Sequence, residues 1–191
     1  MNVCVFCASS SRLAPVYVEA AVRLGEWIGR CRHTLVWGGC NVGLMQVLGE
    51  AVQRSGGRTS AVLPAFLVER GLAFAAPDER VVSADMQERK ARLRAAADAF
   101  VALPGGVGTW EELLEVVALK KLEQLDQPIV IADIAGFYGP LLEQLRRSFD
   151  EGFTAPDVEL LYDVAVDVAG VIACLERRRP RTRPLRLGPE V

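Results

Sequence analysis

Ala99-Phe-Val-Ala-Leu-Pro-Gly-Gly-Val-Gly-Thr-Trp-Glu-Glu112 is the stretch that decides the fold. The apolar run at its start reads as a buried strand, and the apolar-periodic stretch that follows, Leu113 to Leu122, reads as helix. Between them Gly105, Gly106 and Gly108 let the backbone turn tightly and come close to a ligand. A helix over 110–125 then starts with free N–H groups, which suit an anion, typically phosphate. Glu112 stands in the first turn of that helix, so an acid lies beside a phosphate cradle.

Outward from this turn, apolar β-branched runs alternate with helical patterns. Strands are expected over 2–7, 34–37, 59–63, 80–83, 99–103, 129–133 and 161–164. Helices are expected over 15–30, 43–55, 85–97, 110–125, 136–151 and 168–177. Strands apolar on both faces and separated by helices imply an α/β fold, a doubly wound parallel sheet with helices on both faces. Ligands then bind outside the carboxyl ends of the strands, which points to the loops 8–12, 38–43, 64–66 and 104–109. One domain spans 1–176, and 177–191 is an Arg/Pro-rich tail that reads as a disordered appendage.

A chain of 191 residues is long enough for a full core. The net charge of −2 conceals an asymmetry. The tail holds six arginines and one glutamate, so the rest of the chain is acidic by seven charges. An acidic body argues against a broad nucleic-acid surface. No apolar run reaches the roughly 18 residues of a membrane span, and the N-terminus reads as a strand rather than a signal peptide. Five scattered cysteines fit a reducing cytoplasm. Cys4 and Cys7 form a CxxC, but their odd spacing on a strand sends the side chains to opposite faces, so buried thiols are expected rather than a metal site. His33 is the single histidine, which removes most support for histidine triads and histidine metal centres.

A second glycine-rich turn, Trp37-Gly-Gly-Cys-Asn-Val-Gly-Leu-Met45, also follows a strand and opens a helix. Neither turn has the G-x-G-x-x-G spacing of a dinucleotide site, and Gly108-Thr109 lacks the lysine of a nucleoside-triphosphatase loop. Two such turns at one sheet edge imply a joint ligand site that includes Gly39. Ser9, Ser10 and Ser11 end the first strand and serve either as turn or cap residues or as hydroxyl donors to phosphate or sugar.

The segment Asp85-Met-Gln-Glu-Arg-Lys-Ala-Arg-Leu-Arg94 opens with a capping-box pattern, Asp85 and Glu88. At about 100° per residue, Arg89 and Lys90 fall within roughly 60° of a stripe through Met86, Leu93 and Ala97. They face a ligand or snorkel at the helix edge. Arg92 and Arg94 fall further round and read as a solvated face. Thr109-Trp-Glu-Glu112 also fits a capping box, so Glu112 is either a cap or a functional acid. In the functional reading, Glu112 and Glu115 share a face, bind ribose hydroxyls and stabilise positive charge at an anomeric carbon.

These residues resemble a known family. Pro104-Gly-Gly-Val-Gly-Thr-Trp-Glu-Glu112 matches the PGGxGTxxE motif of the LOG ("lonely guy") proteins, cytokinin-activating phosphoribohydrolases. Arg89-Lys90, Gly38-Gly39…Gly43-Leu-Met45 and Cys7-Ala-Ser-Ser10 resemble the family's other signatures, and the likeness runs from about Val3 to Cys174. The motif is shared with relatives labelled lysine decarboxylases and with molybdenum-cofactor carrier-like proteins. The decarboxylase label finds no pyridoxal-phosphate lysine motif here. The resemblance implies a Rossmann-like fold, usually a homodimer, and no metal or other cofactor. It implies hydrolysis of a nucleoside 5′-monophosphate to free base and ribose 5-phosphate. Carried over, Arg89 and Glu112 are the catalytic pair, and Gly105, Gly106, Gly108 and Thr109 hold the phosphate. Ser10, Gly39, Met86, Lys90 and Glu115 are the remaining candidates for contact with substrate. The alternatives are a pterin-phosphate carrier on the same fold, or a nucleotide of a specialised pathway as substrate. Cys40, Gln46, Gln87 and Leu119-Lys-Lys-Leu-Glu123 depart from the family pattern near the implied base pocket or dimer edge. They bear on the base rather than on the reaction class.

Overall fold

In a computed structural model, the apolar runs become seven strands of one parallel sheet. They are β1 (Asn2–Phe6), β2 (Thr34–Trp37), β3 (Arg58–Pro64), β4 (Glu79–Ser83), β5 (Ala99–Ala102), β6 (Ile129–Ala132) and β7 (Asp163–Ala165). The structure describes residues 1–154 and 160–177, so the arginine-rich tail beyond Arg177 lies outside the described residues. Every pairing is parallel, and the order is β4-β3-β2-β1-β5-β6-β7.

The chain runs outward from β1 through β2 and β3 to β4. It then returns to lay β5 against the other side of β1, with Val3 opposite Ala99 and Phe6 opposite Ala102. This reversal is a topological switch point, where the loops after β1 and β5 part and leave a crevice.

Period-two alternation divides the strands between two cores. Val3, Val5 and Cys7 face one side, packed with Leu24 of α1 (Pro15–Arg30), Leu48 of α2 (Gly43–Arg54) and Val171 of α7 (Val168–Glu176). Cys4 and Phe6 face the other side, packed with Leu93 of α4 (Met86–Ala96) and Val116 of α5 (Val107–Lys121). Leu141 and Leu145 of α6 (Gly139–Asp150) pack against that second core. The CxxC therefore splits across the sheet, as its odd spacing requires.

Several boundaries differ from the sequence reading. Residues 64–66 read as loop, but they enter the short helix α3 (Ala65–Glu69). A 3-10 turn (Ile134–Gly136) delays α6, with Ala135 and Gly136 both at positive φ. At the last strand, Leu161 and Tyr162 are buried in the second core ahead of the sheet, and pairing with β6 starts only at Asp163. Burial, not pairing, produced that apolar signal.

Candidate active site

Helix α4 brings Arg89 to the carboxyl ends of the strands. Its N-terminus is fixed by the Asp85 side chain, which accepts from the Glu88 N–H at 2.8 Å, while Glu88 reaches back to the Ala84 N–H at 2.7 Å. Arg89 is then driven inward and is only 5% exposed. Its Nε donates to the Val62 carbonyl of β3 at 3.1 Å. Its Nη1 donates to Glu112 Oε1 at 2.6 Å. Its Nη2 lies against Gly38, where a Cβ would stand 2.3 Å away. A buried guanidinium needs such a fork of partners, because an unpaired charge there is prohibitively costly.

Glu112 is 7% exposed, so both ends of the ion pair are sealed from water. Burial raises its carboxyl pKa above the ordinary glutamate value, and the neighbouring Arg89 opposes that shift without cancelling it. The capping-box alternative for Glu112 is not what the helix uses. α5 starts at Val107, earlier than the expected 110, with Gly106 as N-cap and no side-chain cap. Thr109 is therefore inside the helix and Glu112 lies beyond the capping positions.

The same early start lays the α5 N-terminus across the glycine turn. Gly105 is packed beneath Thr109, whose Oγ1 would be 2.1 Å from a Cβ at 105. Nothing lies within 4 Å of a Cβ placed at Gly106 or Gly108. The first amides of α5 have no intrahelical partner and no side-chain cap, the condition in which a helix N-terminus suits an anion.

The other predicted residues have varied settings. Ser10 is exposed on the loop after β1, whose backbone packs against Gly43 of the second glycine turn. Gly39 adopts φ +62° and packs on Ala61 and Leu63 of β3. Helical spacing puts Met86 on the buried stripe of its helix, but it is exposed at the α4 N-terminus while Arg89 and Leu93 are buried. Lys90 is held by Glu111 and, at 3.4 Å, by Glu115. Glu115 also takes Arg94 at 2.7 Å. Arg94 thus joins a bridge between α4 and α5 rather than a solvated face, and Glu115 is engaged by cations rather than left open beside Glu112. Arg92 follows the expectation, pairing with Glu88 on the exposed side.

Three buried thiols feel the charges of this centre. Burial, reinforced by the Glu112 charge, raises the pKa of Cys4 and of Cys7, and burial also raises that of Cys40. Thiols held protonated are poor nucleophiles. All five cysteines are free. Two features escaped the sequence reading. Gly38 seats the guanidinium, although it stands inside the conspicuous second glycine turn. The Val62 carbonyl holds Nε, and a backbone acceptor leaves no trace in residue type.

Comparison with known proteins identifies relatives of the chain. A family model described as "Possible lysine decarboxylase" matches residues 45–175. The chain is 39% identical to the cytokinin riboside 5′-monophosphate phosphoribohydrolase LOG7 of Arabidopsis thaliana, over 94% of this chain and 82% of that protein. It is 37% identical to a probable cytokinin riboside 5′-monophosphate phosphoribohydrolase, LOGL2, of Oryza sativa subsp. japonica, over 94% and 74%. Among solved structures, the molybdenum cofactor carrier protein of Chlamydomonas reinhardtii superposes with a TM-score of 0.70 at 26% identity, covering 92% of this chain and 95% of that one.

Proposed function

The chain belongs to the LOG family of phosphoribohydrolases, and from that premise we propose that it hydrolyses the N-glycosidic bond of a nucleoside 5′-monophosphate to free base and ribose 5-phosphate. The observation that carries this reading is the buried Arg89–Glu112 pair next to the uncapped, glycine-lined start of α5.

The 5′-phosphate sits on the amides at Gly106, Gly108 and Thr109, with Gly105 giving the turn its close packing. The ribose lies over Glu112. As the C1′–N bond breaks, positive charge grows on the ring, and the carboxylate stabilises it through a medium with little water. Water adds its oxygen to C1′ and the departing base takes up a proton, so the step balances without a cofactor. Arg89 keeps the buried carboxyl ionised and aimed, and it is itself aimed by Val62 and Gly38. Ser10, Gly39 and Met86 border the sugar and base. Lys90, Glu115 and Arg94 act by clamping α4 to α5, which holds Arg89 and Glu112 together.

The protein works as a homodimer in a reducing compartment, the cytoplasm. Support for the dimer comes from an apolar stripe along α5, with Val107 75%, Trp110 40% and Leu114 38% exposed at helical spacing. Among the described residues, no helix is long and apolar enough to cross a membrane.

A second reading is a carrier of a phosphorylated pterin, which the likeness to the Chlamydomonas protein favours. Base release separates the two. The test is turnover of AMP against adenosine. The glycosidase with a phosphate cradle hydrolyses AMP far faster, equal rates contradict the cradle, and tight binding without free base favours the carrier.

A further inference from the structure

The ladder that aligns β5 with β6 ends at Ala102, opposite Ile131. One residue later the chain enters the glycine turn, so Leu103 is the last fixed point before the phosphate cradle. Its N–H is satisfied by the Phe6 carbonyl of β1 at 2.9 Å. Its carbonyl, fully buried and past the end of the ladder, accepts from the Tyr138 hydroxyl at 2.8 Å.

Tyr138 reaches that carbonyl because the turn after β6 is shaped to deliver it. Asp133 Oδ1 accepts from the Tyr138 N–H at 2.6 Å. Ala135 and Gly136 take consecutive left-handed conformations, at φ +54° and +71°. An alanine holds that conformation only where its surroundings impose it. The Tyr138 ring is 1% exposed and is fixed edge-on by Phe137. Burial holds the phenol protonated well above the ordinary tyrosine range, so it stays a donor.

We propose that Tyr138 is a positioning residue for the phosphate cradle. It pins the Leu103 carbonyl, and through it sets where the α5 amides stand. Only Pro104 and Gly105 separate Leu103 from Gly106, the N-cap of α5. Proline fixes its own φ and Gly105 is locked under Thr109, so displacement of Leu103 passes directly to the amides. The role rests on the glycosidase reading given above and adds a residue that touches no substrate.

The test is Tyr138→Phe, which removes one oxygen and keeps the ring. Measured against wild type are KM and kcat for AMP, kcat/KM for adenosine, and the Kd for ribose 5-phosphate by calorimetry. A buried acceptor left without its donor predicts a rise of about tenfold in the KM for AMP and in the Kd, with kcat changed less than about threefold. The adenosine value stays unchanged, because adenosine has no phosphate to position. An equal loss on AMP and adenosine, or an unchanged Kd, overturns the proposal. If Tyr138→Phe fails to fold, Asp133→Ala loosens the same turn with the phenol intact. The same split in smaller measure is expected, and a uniform loss again overturns it. Should wild type release no base, the glycosidase reading fails, while the ribose 5-phosphate comparison still judges the brace. A wild type that does not bind ribose 5-phosphate overturns the brace as well.

Discussion

Glu112→Gln removes one charge and almost no volume at the centre of the site. In the folded protein Glu112 Oε1 sits 2.6 Å from Arg89 Nη1, with both side chains less than a tenth exposed. Deleting one partner of a buried ion pair outright costs about 3–5 kcal/mol, because the other charge is stranded. Glutamine retains an acceptor oxygen for the guanidinium, and Val62 still takes Nε, which reduces the loss to about 1–2 kcal/mol. Burial already disfavours the ionised glutamate, and that also limits the loss. For a domain of this size the melting temperature should fall by about 2–8 °C. The rate should suffer much more. Losing a preorganised group aimed at developing charge costs about 10³-fold, or ~4 kcal/mol at 1.36 kcal/mol per decade. The assay is single-turnover release of free base from AMP, with a thermal melt on the same sample. A folded Glu112→Gln protein within about tenfold of the wild-type rate would refute the assignment of Glu112 as the group that stabilises the transition state.

Gly38→Ala places a methyl where the Arg89 guanidinium lies; kcat should drop by about 10²-fold with circular dichroism unchanged, and a normal kcat would mean that the seat is dispensable. The pH dependence of activity and of stability should run in opposite directions. Glu112 must be ionised to act and its pKa is raised by burial, so the acid limb of kcat/KM lies above the ordinary glutamate value of about 4.3. The folded state binds that proton more tightly than the unfolded chain does. The contribution of Glu112 to stability is therefore fully present below its unfolded pKa and is lost as pH rises through the folded one, a slope that Glu112→Gln removes in pH-dependent denaturant melts. On the dimer proposed above, Trp110→Asp puts a charge in the exposed α5 stripe and should shift the protein from dimer to monomer in sedimentation analysis; an unchanged dimeric mass would place the contact elsewhere, and a monomeric wild type would refute the dimer.

The sheet was legible because buried parallel strands carry runs that are apolar on both faces, and β2, β5 and β6 came out within a residue of their expected limits. The candidate site is legible wherever side-chain identity carries its proposed chemistry. Arg89 and Glu112 each stand out in the sequence, and the structure brings them into contact. What stayed hidden was made of backbone. Glu112 has two readings because Thr109-x-x-Glu112 is a good capping box, and only the start of α5 at Val107 removes the cap. Helical angle alone puts Met86 ahead of Arg89 on the buried stripe. The partners waiting for a guanidinium, the Val62 carbonyl and the space at Gly38, reverse that order. Lys90 and Arg94 illustrate the same limit, since the acids that hold them come from α5, more than twenty residues away in sequence. Tyr138 carries no motif at all, and its task follows from where the β5–β6 ladder happens to stop.

A product balance tests phosphoribohydrolase activity outright. A panel of AMP, isopentenyl-AMP, GMP and CMP is incubated with the protein, and free base and ribose 5-phosphate are both quantified. At least one nucleotide should yield the two products in equal amounts. Tight binding of these nucleotides with no base released would contradict it and leave a carrier in its place.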